Sequence, residues 1–377
     1  MRQPATERGF LVQVFVRATV LFILLNLGFA LTDPLPALGR LSAYNRILPG
    51  RQRLPFGDNP TQAYNLSLNN LNAMFASHCI AGAPERQSES RVVLIGDSSV
   101  WGFLLENRDT LSSNLNALNL TNDKNERLKF YNLGYPTISL TKDLLLIDRA
   151  LDYDPDLIVW LTTLEAFPYE KQFFSPLVQN NAEEATTLLQ QHSLKPHLAE
   201  ARMTRPNLLE ETIVGQRRAL ADLLRLQLYG VMWAATGIDQ VIADNFTPRA
   251  EDLEAVETYY GLLPGDLSSQ SIAFDVLAAG IQHADGVPVL VVNEPMFLSE
   301  GENSDIRYNF FYPQWAYDQY RLLLEAQSEI NQWDYVDAWL AVDNTEYSNS
   351  AIHLTPRGSQ QLAAFLAGPI LEITNQP

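Results

Sequence analysis

The sequence predicts a three-layer α/β/α sandwich built on a parallel sheet, with a helical insertion and an apolar N-terminal helix. Three observations carry this reading. Between 91 and 163, and again between 287 and 371, short apolar runs alternate with amphipathic stretches, the rhythm of strands joined by crossover helices. The runs, such as Val92-Val93-Leu94-Ile95 and Val289-Leu290-Val291-Val292, are continuous, as in strands covered on both faces. Each ends on polar or glycine residues, at Gly96-Asp97-Ser98, Gly134, Thr162-Thr163 and Asn293-Glu294.

Taken in order, the chain opens with Arg2 and Arg8 ahead of an apolar stretch from Phe10 to about Leu31, interrupted by Gln13, Arg17 and Asn26. From Phe10 the stretch is long enough to cross a bilayer, with Arg17 able to reach the cytoplasmic interface. The expectation is an uncleaved signal anchor over 10–32, with 1–9 in the cytoplasm and the main domain outside it. Gly28-Phe29-Ala30 would serve as a cleavage site, giving a secreted chain, and a buried helix is a third reading. Asp33-Pro34-Leu35-Pro36 ends the helix. Residues 33–88, rich in Asn, Pro, Gln and Ser, read as a stalk and covering segment, with a short helix at 65–71 and a turn at 87–90.

The α/β domain is expected over 89–377. Its strands are predicted at 91–95, 128–134, 156–163, 287–293 and 334–337. Helices are predicted from Ser98 to about Asn119, over 140–151, from about Trp315, and from Pro356 to about Leu371. Five strands in this rhythm give a flavodoxin-like sheet. A helical insertion, about 168–270, interrupts it, and is most apolar over 218–243.

Composition excludes several functions. With 46% hydrophobic and 19% charged residues the chain is globular rather than disordered. A net charge of −18 argues against nucleic acid or an anionic membrane surface as partner, and no basic cluster is visible. Cys79 is the only cysteine and the five histidines are scattered, so no metal or cofactor is expected.

Two features remain for chemistry. Ser98 stands at the carboxyl end of the first strand, on a tight turn into a helix, where open α/β sheets place reactive groups. The plain alternative is Asp-Ser-Ser capping a helix. His353 precedes Thr355-Pro356, a helix start, which puts its imidazole on the same rim. A serine needs a base to take its proton, and histidine is the usual one.

Gly96-Asp97-Ser98 after a buried strand, with His353-Leu354-Thr355-Pro356-x-Gly358 near the C-terminus, resembles the SGNH, or GDSL, hydrolase superfamily. The resemblance covers about 91–163 and 285–371. It implies Ser98 as nucleophile, His353 as general base, and an oxyanion hole formed by the amides of Ser98 and Gly134. Two departures stand out. Thr162-Thr163-Leu164-Glu165 replaces the family's Gly-x-Asn-Asp, and Ser350 replaces the aspartate three residues before the histidine. Asp343, Glu346 and Asp337 are the candidates to orient His353 instead, and a Ser–His dyad helped by a backbone carbonyl is the alternative. A polar, aromatic stretch with Asn293, Glu294 and Arg307 suits a sugar-binding edge, and an ordinary solvated loop reads equally well. The arrangement also resembles membrane-anchored SGNH-like proteins that work beside membrane-bound O-acyltransferases on envelope polysaccharides. The expected function is therefore an extracytoplasmic esterase or O-acyltransferase acting on acyl, foremost acetyl, esters of cell-envelope glycans. The rivals are a catalytically degenerate glycan-binding or scaffolding relative, and a phosphate-binding flavodoxin-like module. The last lacks the glycines such a loop needs.

Overall fold

The computed structural model describes residues 7–56, 70–83, 89–194, 207–237, 242 and 245–376. Strands β1 (Glu89–Ile95), β2 (Arg127–Asn132), β3 (Leu157–Thr162), β4 (Val289–Asn293) and β5 (Asp334–Asp337) form one parallel sheet in the order β2-β1-β3-β4-β5. This is the flavodoxin-like order, in which the chain reverses direction across the sheet between β1 and β3. Their register, Leu94 beside Val159 and Ile95 beside Trp160, brings the residues after Ile95 next to those after Thr162. The crevice beyond these carboxyl ends is where such sheets bind ligands.

The two faces explain the continuous apolar runs. Val93 and Ile95 of β1 enter one core, and Val92 and Leu94 enter the other. The first core is covered by the helices Leu140–Leu151, Phe274–His283 and Gln314–Asn331. The second is covered by Leu111–Ala117 and Pro356–Thr374. Each fully buried Val, Leu or Ile contributes about 1.5–3 kcal/mol, so the sheet is the stiff platform under its rim.

Four expectations change in detail. The helix expected from Ser98 to Asn119 is broken. One turn, Ser98–Trp101, ends at Gly102 in the left-handed region (φ 86°), and a new helix, Leu111–Ala117, is capped by Thr110. The turn from Ser98 is thus short and anchored at both ends. Residues 33–88 do more than cover the domain, since Leu54, Leu71, Met74 and Phe75 are wholly buried in the first core. Arg53 from this segment donates to the carbonyls of Gly102 (2.9 Å) and Leu105 (3.0 Å) and lies over the Trp101 ring. The helix expected at 65–71 falls mostly outside the described residues; a helix is found at Leu71–Ser77, capped by Asn70. Of the turn expected at 87–90, residues 87–88 lie outside the described part and 89–90 begin β1.

The insertion contains the helices Pro176–Asn180, Ala182–Gln191 and Arg217–Thr236, and 245–273 runs largely without regular structure. At the N-terminus, Glu7–Thr32 forms one helix. Its stretch Gly9–Thr32 is the one among the described residues long and apolar enough to cross a membrane, a property shared by anchors and signal sequences.

Candidate active site

Ser98 is the first residue of the one-turn helix that leaves β1. Gly96 lets the strand enter this turn, because a Cβ there would lie 2.6 Å from Val100 Cγ2 and 2.9 Å from the Leu161 carbonyl. Asp97 caps the turn, its Oδ1 accepting from the Ser99 amide at 2.8 Å. As a first-turn residue, Ser98 has an amide that no intrahelical bond can use.

His353 sits on a loop that folds back on itself. The Ser348 amide donates to the His353 carbonyl (2.8 Å), the Thr355 amide donates to the Glu346 carbonyl (3.0 Å), and Tyr347 bridges Leu354. This register sets Asn349 opposite the imidazole. His353 Nδ1 meets Asn349 Oδ1 at 2.8 Å, and Nε2 meets Ser98 Oγ at 2.8 Å. A carbonyl oxygen only accepts, so Nδ1 carries the proton and Nε2 presents its lone pair to the serine hydroxyl. The imidazole is thereby in the tautomer a general base for Ser98 requires.

The Phe103 ring stacks on His353, with centroids 4.7 Å apart at 25°. Burial pushes the His353 pKa down to about 4. The neutral, proton-accepting form then persists well below pH 6.5 and is lost only as pH falls through about 4. The acid limb of kcat/KM for a soluble acyl ester should therefore fall near pH 4, and Phe103→Ala, by exposing the ring, should move it upward. A wild-type limb centred near 6.5, with circular dichroism showing the protein still folded, contradicts this.

The three carboxylates expected to orient His353 are engaged elsewhere. Asp337 pairs with Arg321 (2.6 Å) and accepts from Asn293 Nδ2 (2.9 Å). Asp343 accepts from Gln361 Nε2 (2.6 Å), and Glu346 is bonded to the Thr355 hydroxyl. Asn349 occupies the place assigned to them. Arg249, from the irregular end of the insertion, braces its loop, donating to the Tyr347 carbonyl at 2.8 Å while lying over Phe297.

Gly134 also has another task. Its amide donates to Asn132 Oδ1 (3.1 Å), and a Cβ there would lie 2.5 Å from the Trp101 nitrogen. It allows the Ser98–Trp101 turn to rest against the end of β2, with its N–H already committed. At the end of β3, Thr163 Oγ1 bonds Tyr312 OH (2.8 Å), which also receives the Glu165 amide (3.1 Å). The Ser98 amide, as a first-turn N–H, has no intrahelical partner, and the side-chain amide of the family's third block has no counterpart at 162–165.

The residues expected to bind substrate are built into the frame. Asn293 is fully buried between Asp337 and Tyr317 OH (3.1 Å). Arg307 donates to the carbonyls of Val256 (2.5 Å), Phe310 (3.0 Å) and Asn309 (3.2 Å), binding the 307–313 loop to the insertion. Glu294 is only 1% exposed and takes the Ser99 hydroxyl on Oε2, while its Oε1 meets no hydrogen-bond partner among the described residues. Burial, and then the charge of Asp97, raises its pKa well above the usual carboxylate range. Lys142, wholly buried beside Asp143, donates to the Gly96 carbonyl at 2.6 Å. Burial pushes the Asp143 carboxyl up to about 6 despite that lysine. Beneath the serine turn there is thus a buried layer of acid, lysine and hydroxyl groups that fixes Gly96 to Ser99 from below.

On the same rim, a cavity of about 540 Å³ opens beside Glu165, the fifth residue beyond Trp160 of β3. Tyr259, Tyr260, Phe310 and Phe311 give it aromatic walls, and Asp252, Glu254 and Arg307 give it polar ones. Tyr260 OH donates to Glu165 (2.6 Å), as does Tyr259 OH (3.4 Å), and Lys171 pairs with the same carboxylate.

No protein-family profile and no curated protein matches the sequence. Among solved structures, the chain is similar to Est24, a carbohydrate acetylesterase from Sinorhizobium meliloti, at 12% identity over 76% of this chain and 100% of that one, with a TM-score of 0.36. It is similar to the native aryl esterase of M. smegmatis at 12% identity over 75% and 99% of the two chains, with a TM-score of 0.33. LAE5, an alpha/beta hydrolase enzyme from the metagenome of Lake Arreo, Spain, matches at 16% identity over 76% and 97%, with a TM-score of 0.34. Likeness at this level carries no argument about activity. What the chain has in its own right is a flavodoxin-like sheet whose first strand ends on a serine bonded to a C-terminal histidine, the pairing that its resemblance to the SGNH hydrolases implies.

Proposed function

We propose that the chain is a membrane-anchored serine esterase or O-acyltransferase whose main domain lies outside the cytoplasm and acts on acyl, foremost acetyl, esters of cell-envelope glycans. The observation that carries the esterase reading is the 2.8 Å contact between Ser98 Oγ and His353 Nε2, with Nδ1 fixed by Asn349. In the reaction, Ser98 Oγ attacks the acyl carbonyl and its proton passes to His353 Nε2. The tetrahedral oxyanion rests on the Ser98 amide, and collapse expels the alcohol, which takes the proton back from His353. The acyl group is then on Ser98. A water molecule, or a second hydroxyl in the transferase case, repeats the attack with His353 as base and frees the serine.

The glycan part of the reading is supported by the aromatic-walled cavity beside Glu165, since sugar rings are bound by aromatic faces with polar groups at their edges. The anchor is supported by the apolar helix ending at Thr32. Work beside a membrane-bound O-acyltransferase fits the same placement. A second reading, a non-catalytic glycan-binding relative, is favoured by one observation: the Gly134 amide is already bonded to Asn132. Losing one oxyanion donor typically costs about 10²–10³ in rate, so the esterase reading predicts a slow enzyme.

Both readings are separated by incubating the full chain in detergent with an O-acetylated polysaccharide and measuring free acetate and acetyl transfer to an added oligosaccharide. Acetate release or transfer that vanishes in Ser98→Ala supports the proposal. Binding of the polysaccharide with neither product overturns it in favour of the second reading.

A further inference from the structure

The helix Arg217–Thr236 is apolar on two sides. One side, Leu226, Gly230 and Trp233, is buried against the segment that follows the N-terminal helix. Gly230 admits the Tyr44 ring, Trp233 meets that ring edge-on, Arg51 stacks on Trp233, and Gln227 bonds the Ala43 amide (2.7 Å) and Leu41 carbonyl (3.0 Å). The other side carries Leu224 and Leu228, each 70% exposed, with Val231 one turn further on. Spaced at i, i+4 and i+7, these side chains form a continuous stripe left exposed among the described residues. In the stretch leading into this helix, Leu209 is 77% exposed. Exposed aliphatic surface on this scale marks an interaction site.

The position of the stripe identifies what it meets. The Val214 amide bonds Asn26 Oδ1 (3.3 Å), so the stretch leading into this helix touches the N-terminal helix near its end. Gly9–Thr32 has 24 residues, about 36 Å at 1.5 Å per residue, against a hydrocarbon thickness of about 30 Å. Asn26 lies about 9 Å below Thr32 on the same rise, close to the outer boundary of the hydrocarbon. Charge agrees. Although the chain carries −18 overall, residues 34–56 hold no acidic residue, and of their four arginines Arg40 and Arg46 are exposed while Arg51 and Arg53 are buried. Arg217 and Arg218 are exposed at the start of the striped helix. Arg40, Arg46, Arg217 and Arg218 are the exposed cations these two segments would offer to lipid phosphates.

We infer that Leu209 and the Leu224–Leu228–Val231 stripe form a second, interfacial contact with the lipid bilayer, laid on the outer leaflet beside the membrane-spanning helix. The inference rests on the anchor reading above. It makes the domain a body fastened along one side, with the covering segment and the striped helix held between lipid and core. The orientation of the serine rim relative to the membrane is then fixed, unlike that of a domain swinging on a tether.

The test uses the full chain in vesicles of phosphatidylcholine and phosphatidylglycerol. In a Cys79→Ser background, an environment-sensitive fluorophore is attached at Leu209→Cys or Leu228→Cys, with Phe22→Cys and Leu322→Cys as references. Phe22 lies in the spanning helix, and Leu322 is exposed on the helix Gln314–Asn331, remote from the stripe in sequence. Brominated phospholipid chains should quench the probes at 209 and 228 more than half as strongly as at 22, and leave 322 unaffected. Quenching at 22 alone overturns the interfacial contact and leaves the anchor intact. Absence of quenching at 22 overturns both. Shielding of 209 and 228 from aqueous iodide without quenching by lipid points to a protein partner and also overturns the inference.

Discussion

Replacing Ser98 by alanine should lower turnover of a short acyl ester by about 10³-fold or more, with thermal stability unchanged. The serine side chain is half-buried and its hydroxyl makes one described bond, to His353, so its removal leaves the turn intact. The turn is held by other groups: the Asp97 cap, the Ser99–Glu294 bond and the Lys142 contact to the Gly96 carbonyl. His353→Gln should cause a similar loss, because without a base the hydroxyl keeps its proton and attacks poorly. The double variant should be no worse than either single one, since the two residues act as a unit. Full activity in Ser98→Ala, measured with colourimetric acyl esters, would place the chemistry elsewhere.

The second large effect is expected at Asn349. Its carbonyl fixes both the tautomer and the ring plane of His353. Asn349→Ala should lower kcat by about 10²-fold with little change in KM, the typical cost of misplacing a catalytic group by about 1 Å. Asn349→Asp separates positioning from charge. A carboxylate at this place can accept the same Nδ1–H bond, so the geometry is kept, while its charge favours the imidazolium. The acid limb of the pH–rate profile should then move upward from about 4. An alanine variant with unchanged kcat would show that Asn349 is a bystander. An aspartate variant whose limb stays in place would show that it does not face the imidazole.

The use of an amide here is consistent with the depressed pKa of His353. A charged partner would hold the imidazole nearer its ordinary range, whereas a neutral carbonyl and the Phe103 ring leave burial unopposed. The site keeps the base neutral and ready, at the cost of a less stabilised imidazolium in the transition state.

Much of the fold was legible because its signals are local. Continuous apolar runs ending in polar residues mark strands of a two-sided parallel sheet, and all five appear in the expected order. Ser98 and His353 were legible for a related reason, since a strand end and a helix start place both on one rim. Asn349 was not. The choice of orienting group was sought among carboxylates and at the third position before the histidine. The partner is set instead by the register of the back-folded loop, in which Ser348 pairs with His353 and turns the next residue onto the ring. Gly134 reads in sequence as an oxyanion donor, whereas in the structure its amide meets Asn132. The demand at that position is closeness to Trp101, which no strand-end pattern reveals. Asn293 and Glu294 look like ligand-binding residues in sequence because buried polar networks and binding edges use the same residue types. Only packing distinguishes the two, here through Tyr317, Asp337 and Ser99.

Labelling with a serine-directed fluorophosphonate tests the central claim most directly, because it needs no knowledge of substrate or acceptor. Intact mass and peptide mapping of the full chain should show one adduct per molecule, on Ser98, approaching stoichiometry with time and suppressed in His353→Gln. A folded chain that takes up no label, or takes it on another serine while Ser98 stays free, would contradict an activated nucleophile at the end of β1.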